Sequence, residues 1–181
     1  MGVDIWESRK LSLDGLKVQA EACQACTLSK TRTHVVFGSG NPHADWMIIG
    51  EAPGFHEDQE GKPFVGRAGQ LLNAMLLSVG KKREEVYIAN VLKCRPPDNR
   101  DPLPDEVEQC TPFLTQQIEM ISPRVILALG RHAAKFLLNT DDSMKKLRGK
   151  NYSWGKNQIP VFVSYHPAYL LRNPAEKLKA W

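Results

Sequence analysis

Three polar side chains that are able to take part in catalysis each stand at the end of an apolar run. Glu51 follows the run over 45–50, Asn90 lies near the end of the run over 86–91, and His166 follows the run over 159–165. A carboxylate can orient water or stabilise positive charge, an amide can donate and accept hydrogen bonds together, and an imidazole can donate to a leaving group. Three such groups indicate a binding site rather than ordinary loop residues if their strands end at one edge of a sheet.

The elements that would position these side chains alternate along the chain. Apolar runs predict strands over 45–50, 86–91, 124–129 and 159–165, and helical spacing predicts helices over 11–22, 69–79, 104–120 and 130–138, with another beginning at 174. Strands alternating with helices indicate an α/β fold around a parallel sheet, and unbroken apolar strands agree with burial on both faces. Parallel sheets bind ligands beyond the carboxyl ends of their strands. The 181 residues are expected to form a single domain over 1–181.

The overall composition favours a protein that meets an anionic partner. The formal charge is +4 and the isoelectric point is about 8.9, a balance that suits nucleic acid without demonstrating it. No apolar run is long enough to span a membrane, and the first ten residues contain no apolar signal-peptide core. We therefore expect no membrane association and a cytoplasmic location.

Four cysteines have a spacing that suits a metal site. Cys23 and Cys26 form a pair separated by two residues, Cys94 follows the second predicted strand, and Cys110 lies on the next predicted helix. Inside the cell such cysteines are more typical of metal ligands than of disulfides. Zinc and an iron–sulfur cluster both tolerate this spacing, while buried free cysteine is the ordinary alternative. All four lie outside the strand interiors, which weakens that alternative.

Several blocks of this sequence together resemble the iron–sulfur uracil-DNA glycosylases, usually called family 4. The resemblance extends over about 16–179, and the blocks occur in the family's order with nearly constant spacing. They are Cys23-x2-Cys26, Gly50-Glu-Ala-Pro-Gly54, Pro63-Phe-Val-Gly66, Asn90 with Lys93-Cys-Arg-Pro-Pro97, Cys110, and His166-Pro-Ala-Tyr-Leu-Leu-Arg172.

The resemblance implies a monofunctional DNA-repair enzyme of the base excision pathway. The implied fold is a three-layer α/β/α domain with a central four-stranded parallel sheet. The implied reaction is hydrolysis of the N-glycosidic bond of uracil in DNA, which leaves an abasic site. The four cysteines would hold a structural [4Fe-4S] cluster, with zinc as the less favoured occupant. The expected partner is uracil-containing DNA, single- or double-stranded, bound by a monomer.

The resemblance also implies residues that recognise the base, which must leave the DNA stack to be reached. Phe64 would stack on the flipped uracil, an interaction worth about 1–3 kcal/mol per base. The amide of Asn90 would read the O4 and N3–H edge of uracil in two hydrogen bonds and mismatch cytosine. Glu57 would lie close to C5 and exclude the methyl group of thymine. Without the resemblance, Phe64 could equally be a core residue, Asn90 a turn cap and Glu57 a solvated acid.

Two residues are expected to act on the reacting atoms. His166 would donate to O2 of the departing uracil as negative charge develops there. Ala52 stands where other branches of the superfamily carry a water-directing Asp, so Glu51 is the nearest candidate to orient water or stabilise a cationic sugar. The backbone around Ala52 and Gly54 would bind the leaving base or a phosphate.

DNA is expected to be held mainly through its backbone. Arg67 and Arg172 are the candidate phosphate-binding residues, since both lie within the motifs. Leu171 is the candidate wedge, on a predicted loop over 169–171, that would fill the space left by the flipped base. Packing against the domain is an equally good account of Leu171.

A protein with the same fold and cluster could also lack catalysis. The alternative is a non-catalytic iron–sulfur protein that binds DNA or assists replication, and the retained site residues argue against it. Covalent trapping of uracil is disfavoured because the segment over 95–109 contains no His. A zinc hydrolase acting on free nucleosides is a weaker possibility. The last predicted helix stops at Trp181, where the family usually continues, so a shortened chain or a short natural terminus is expected.

Overall fold

The computed structural model describes residues 12–180. Its helices are α1 Leu13–Ala22, α2 Phe55–Glu60, α3 Arg67–Ser78, α4 Pro104–Ile121, α5 Arg131–Leu138, α6 Met144–Leu147 and α7 Pro167–Arg172. Its strands are β1 Ser39–Gly40, β2 Trp46–Gly50, β3 Tyr87–Asn90, β4 Val125–Leu129, β5 Tyr152–Trp154 and β6 Ile159–Ser164. The segment Pro174–Lys179, predicted as a helix, is a 3₁₀ helix, and Trp181 and Leu11 lie outside the described residues.

The predicted α/β fold is confirmed, but the predicted four-stranded parallel sheet is incomplete. The sheet has six strands in the order β1-β3-β2-β4-β6-β5. The four strands that the sequence predicted pair in parallel in the middle, while β1 and β5 pair antiparallel at the two edges. The edge strands contain two and three residues, which is too few to produce a readable hydrophobic pattern.

Helices cover both faces of the sheet because the side chains of a strand alternate between the faces. Ile48 and Ile88 pack with Leu72 and Leu76 of α3 on one face. Met47 and Ile49 lie on the other face, where they pack with residues of α4 and α5. These residues are Leu114, Ile118, Ala133 and Leu137. The two clusters give three layers and bury most of the side chains at the centre of the sheet, with Val125 and Leu127 of β4 only partly buried.

A third apolar cluster lies beside the sheet and contains the cysteines. Leu16 and Ala20 of α1 pack there with Leu92 and Phe113. Cys94 and Cys110 are buried in the same cluster, and Cys23 and Cys26 pack against it. Helix α1 is therefore packed against the loop that follows β3 and against α4.

Three short α-helices among the described residues were not predicted. These helices, α2, α6 and α7, have six, four and six residues, so none completes two helical turns. Helical periodicity cannot be recognised over so few positions. Within residues 12–180, no helix combines the length and the apolar character needed to cross a bilayer.

Candidate functional site

A cleft of about 720 Å³ opens at the carboxyl end of the parallel strands. This is the position at which an α/β sheet binds its ligand, because the loops that follow parallel strands diverge there. Eight of the predicted site residues line the cleft: Glu51, Ala52, Gly54, Glu57, Phe64, Asn90, His166 and Arg172. The structure therefore brings together residues that span more than a hundred positions of sequence.

Two of the predicted DNA contacts do not line the cleft. Arg67 is the exposed first residue of α3, beside the cleft residue Ala68. Leu171 is partly buried on α7, so the expected loop over 169–171 is wrong. His166 caps this helix and Pro167 occupies its first position, a start that a proline favours because it has no N–H to satisfy.

Gly50 allows Phe64 and Asn90, the residues predicted to recognise the base, to approach each other at the end of β2. A Cβ atom on Gly50 would lie 2.4 Å from Oδ1 of Asn90 and 2.7 Å from the ring of Phe64. Both distances are shorter than van der Waals contact, so any larger residue would displace the amide or the ring. The glycine places Asn90 and Phe64 side by side at the base of the cleft.

Asn90 has a buried acceptor that is available to a ligand. The residue is 1% exposed, and its Oδ1 has no hydrogen-bond partner within the described part of the chain. Its backbone carbonyl accepts a hydrogen bond from the buried Lys93 at 2.8 Å, which fixes the end of β3. A buried acceptor left unpaired costs about 1–3 kcal/mol, so a cleft ligand with a matching donor would recover that cost.

A strained loop positions the ring of Phe64. The residue has φ of 53°, in the left-handed region that bulky residues avoid. Gly69 allows this geometry, since a Cβ atom there would lie 1.8 Å from the carbonyl oxygen of Phe64. The side chain of Phe64 is 6% exposed and stacks on the ring of His166, with centroids 5.4 Å apart.

Arg83 supports the same loop and was missed by the sequence analysis. Its guanidinium donates to the backbone carbonyls of Pro63 and Phe64, and to Oδ1 of Asn73 at 3.1 Å. The planar guanidinium can satisfy several carbonyls in one fixed geometry. Because Arg83 lies on a short 3₁₀ helix far from the loop in sequence, no local pattern indicated this contact.

Arg83→Ala is expected to loosen the Phe64 loop. The change removes charged hydrogen bonds to three acceptors, so the free energy of unfolding should fall by about 2 kcal/mol. Urea denaturation measures this loss, and Arg124→Ala, at an exposed arginine outside the cleft, is the matched control. Equal stabilities for the two variants would show that Arg83 does not hold the loop.

Glu57 is partly buried, and its carboxylate is held by backbone N–H groups rather than free to turn into the cleft. One carboxylate oxygen accepts from the backbone N–H groups of Val65 and Gly66 at 3.0 and 3.2 Å. The other oxygen accepts from the N–H of Gly54 at 3.2 Å. Glu57 therefore connects the start of α2 to the loop that carries Phe64, while it also lines the cleft.

The hydrogen bond at His166 determines which ring nitrogen carries the proton. The N–H of Ala168 donates to Nδ1 of His166 at 3.1 Å, so the neutral ring carries its proton on Nε2. Burial lowers the pKa of His166, and the nearby charge of Arg172 lowers it further, against the opposing effect of Glu51. The ring therefore remains neutral at physiological pH and presents an N–H donor.

Glu51 is paired with a residue that the sequence analysis did not select. Nδ1 of His132 lies 2.6 Å from Oε2 of Glu51, and the hydrogen bond raises the pKa of His132. His132 lies just beyond β4, so the rule of strand ends that selected Asn90 and His166 would also have found it.

All four cysteines line one small cavity beside the third apolar cluster. None of them forms a disulfide. Burial raises the pKa of the Cys110 thiol to about 12, and Arg32 donates to Sγ of Cys94 at 3.3 Å. A thiol that burial keeps protonated becomes a thiolate when a metal replaces its proton.

The sulfur spacing indicates which occupant fits. Among the described residues, no three cysteine sulfurs all lie within 4.8 Å of one another. Four thiolates on one tetrahedral zinc, with bonds of about 2.3 Å, would lie about 3.8 Å apart. A cubane cluster holds each thiolate on a different iron and therefore separates them more. The four cysteines are therefore spaced more widely than four ligands of one zinc ion.

Comparison with known proteins identifies the class that this fold and site define. The family model of the uracil DNA glycosylase superfamily matches residues 37–181, and the chain belongs to that superfamily. Within it, the chain is 49% identical to the type-4 uracil-DNA glycosylase of Archaeoglobus fulgidus over 90% of this chain and 85% of the relative. It is 46% identical to the type-4 enzyme of Thermotoga maritima, over 95% of this chain and 90% of that one. The type-4 enzyme of Saccharolobus solfataricus is 48% identical over 90% and 79%.

Proposed function

We propose that this protein is a monofunctional DNA-repair glycosylase that hydrolyses the N-glycosidic bond of uracil in DNA and leaves an abasic site. The single observation that supports this most directly is the buried, unpaired Oδ1 of Asn90 beside Phe64 and His166 in the cleft. Uracil matches this arrangement because it offers a flat face, an N–H donor and adjacent carbonyl oxygens. The high identity to type-4 uracil-DNA glycosylases supports the same reaction.

The recognition step uses the base of the cleft. A flipped uracil would lie against Phe64, with its N3–H donating to Oδ1 of Asn90 and its O4 accepting from the amide nitrogen. Glu57 would hold the wall near C5, so that the methyl group of thymine meets a carboxylate already fixed by three backbone N–H groups. A wrong base would leave the buried amide of Asn90 unpaired, or would bring its methyl group against the carboxylate of Glu57.

The bond-breaking step uses the rim of the same cleft. As C1′–N1 breaks, negative charge spreads over uracil and Nε2–H of His166 donates to O2. A preformed donor of this kind stabilises developing charge without reorganisation. The carboxylate of Glu51 would face the sugar, where it stabilises positive charge and orients water. The backbone at Ala52 would contact the base or the adjacent phosphate, beside Gly54, whose own N–H is bonded to Glu57.

The DNA strand would follow the basic side chains along the rim of the cleft. Arg172 and Lys145 line the cleft, and Arg67 is exposed beside it. Arg131, which the sequence analysis did not select, adds positive charge to the same lining. Leu171 is kept as the proposed wedge from α7. We further propose that one domain over 1–181 acts as a monomer, in the cytoplasm, on single- or double-stranded DNA.

The cysteines are proposed to hold a [4Fe-4S] cluster. Cys23 and Cys26 would bind it from the segment after α1, Cys94 from the loop after β3, and Cys110 from α4. When bound, the cluster supplies a structural cross-link among these three segments. Lys93, next to Cys94, also bonds the carbonyl of Asn90, so fixing this segment helps to fix the end of β3.

The decisive experiment for the function is a cleavage assay. Oligonucleotides with one uracil, single-stranded and paired with guanine or adenine, are incubated with the protein and then treated with alkali. Cleavage at uracil but not at thymine or cytosine is expected. Intact DNA after incubation with cluster-loaded protein would refute the proposal and favour the non-catalytic alternative.

Cys110→Ser is expected to weaken the cluster and the fold together. Loss of a buried ligand from a structural metal site removes folding free energy, so the Tm should fall by at least about 5 °C. Iron content per chain and thermal denaturation measure the two effects. Thr111→Ser, at the neighbouring position of α4, is the matched control and should change neither. Unchanged iron content and Tm in Cys110→Ser would exclude Cys110 as a ligand.

A further inference from the structure

A charged trio on the rim of the cleft is not explained by base recognition. His132 lies with its Nδ1 2.6 Å from Oε2 of Glu51 and its Nε2 3.9 Å from Oδ2 of Asp101. Glu51 and His132 are each less than a third exposed, whereas Asp101 is 82% exposed. The imidazole therefore lies between one sheltered and one solvated carboxylate.

The topology of the sheet produces this pair. Glu51 directly follows β2, and His132 is the second residue of α5, which begins after β4. Strands β2 and β4 are parallel neighbours, so their carboxyl ends lie side by side. The contact joins residues 81 positions apart and forms part of the rim of the cleft.

The hydrogen bond fixes the roles of the atoms. A carboxylate oxygen only accepts, so Nδ1 of His132 must carry the proton that is donated to Oε2 of Glu51. This occupies one oxygen of the carboxylate and leaves Oε1 available to the cleft. A free glutamate side chain loses about 1.5–2 kcal/mol of rotamer entropy when it is ordered, and the bond supplies part of that ordering before a substrate binds.

We infer that His132 is a positioning residue that holds the carboxylate of Glu51 with one oxygen directed at the reacting sugar and its water. The inference rests on the proposed function and specifies how Glu51 acts within it. In the reaction, a water oxygen bonds to C1′ as the C1′–N1 bond breaks and its electron pair leaves on N1 of uracil. The proton lost by the water passes to Oε1 of Glu51 and then to solvent, and the uracil anion takes a proton from solvent. Fixed orientation of such a group is worth orders of magnitude in rate.

The charges around His132 are consistent with this role. The bond to Glu51 is the main cause that raises the pKa of His132, and Asp101 contributes in the same direction. Burial and the neighbouring Arg131 oppose the shift. Since Nδ1–H is present in both the charged ring and this neutral tautomer, the hold on Glu51 persists when the ring loses a proton from Nε2.

The kinetic test compares variants of both partners. His132→Ala removes the donor, whereas the amide nitrogen of Asn in His132→Asn takes approximately the position of Nδ1 and retains it. We expect His132→Ala to lower the single-turnover rate roughly tenfold or more, with His132→Asn within about threefold of the wild type. DNA affinity should be unchanged in both variants. His43→Ala, at an exposed histidine outside the cleft, is the control.

A double-mutant cycle separates positioning from general damage to the fold. In the Glu51→Gln background, His132→Ala should cause no further loss, because the residue it positions is already inactive. Equal losses in both backgrounds, or a His132→Asn variant as slow as His132→Ala, would overturn the inference. Failure of the wild type to release uracil would instead refute the proposed function itself.

A titration of the free protein adds a readout independent of activity. The ring resonance of His132, assigned by its absence in His132→Ala, is followed by NMR against pH. In Glu51→Gln the hydrogen bond and the negative charge that raise the pKa are lost, so the midpoint should move to lower pH. An unchanged midpoint would show that the two side chains do not interact in solution and would overturn the inference.

Discussion

Asn90→Asp should reduce the rate of uracil release about a hundredfold. The same change at an exposed asparagine outside the cleft should leave that rate unchanged. Aspartate keeps an acceptor for N3–H but replaces the amide donor with a second acceptor, which faces O4 of uracil. Loss of one hydrogen bond and the new repulsion together correspond to about 2.7 kcal/mol of transition-state stabilisation. The group cannot move away, because Asn90 is 1% exposed and packed against Gly50.

The same substitution should shift selectivity toward cytosine. The amino group of cytosine would donate to the new carboxylate, whereas it opposes the amide donor of Asn90. Single-turnover assays on uracil- and cytosine-containing strands measure both rates, and Asn151→Asp, at an exposed position outside the cleft, is the control. Unchanged uracil release would mean that Asn90 does not read the base.

The sequence predicted the part of the site that depends on strand order. The carboxyl ends of β2, β3 and β6 carry Glu51, Asn90 and His166, and the cleft lies there. This part was predictable because apolar runs mark buried strands and because parallel strands end at one edge. The short edge strands β1 and β5 left no such pattern, so the sheet was predicted two strands too narrow.

The side-chain network behind the cleft could not be predicted in the same way. Glu57 binds backbone N–H groups of the Phe64 loop, and Arg83 binds carbonyls of that loop from another element. Such contacts join a side chain to backbone atoms, which carry no residue type that a sequence pattern could reveal. The pair of Glu51 and His132 was closer to prediction, since both follow neighbouring strands.

His166→Ala is expected to lower the single-turnover rate by roughly 10²–10³-fold, the usual cost of losing one preformed donor to a developing anion. His166→Gln should retain more activity, because its amide nitrogen can replace Nε2 as the donor. DNA affinity should change little in either variant, since the contact strengthens only as charge develops on uracil. His43→Gln is the control. Equal activity of His166→Ala and the wild type would remove His166 from the reaction.

The acid side of the stability profile tests the neutral state of His166 directly. A second ring proton would have to occupy Nδ1, where the N–H of Ala168 now donates, so protonation breaks that bond. In the unfolded chain a histidine binds its proton below about pH 6.5, whereas burial lowers the pKa of His166 in the folded protein. The unfolded state therefore binds more protons between these two values, and the free energy of unfolding falls as the pH falls through that window.

Glutamine does not titrate, so His166→Gln should lose less stability than the wild type on acidification through that window. Urea denaturation at several pH values measures the two slopes, and parallel slopes would show that His166 is not held neutral by its surroundings.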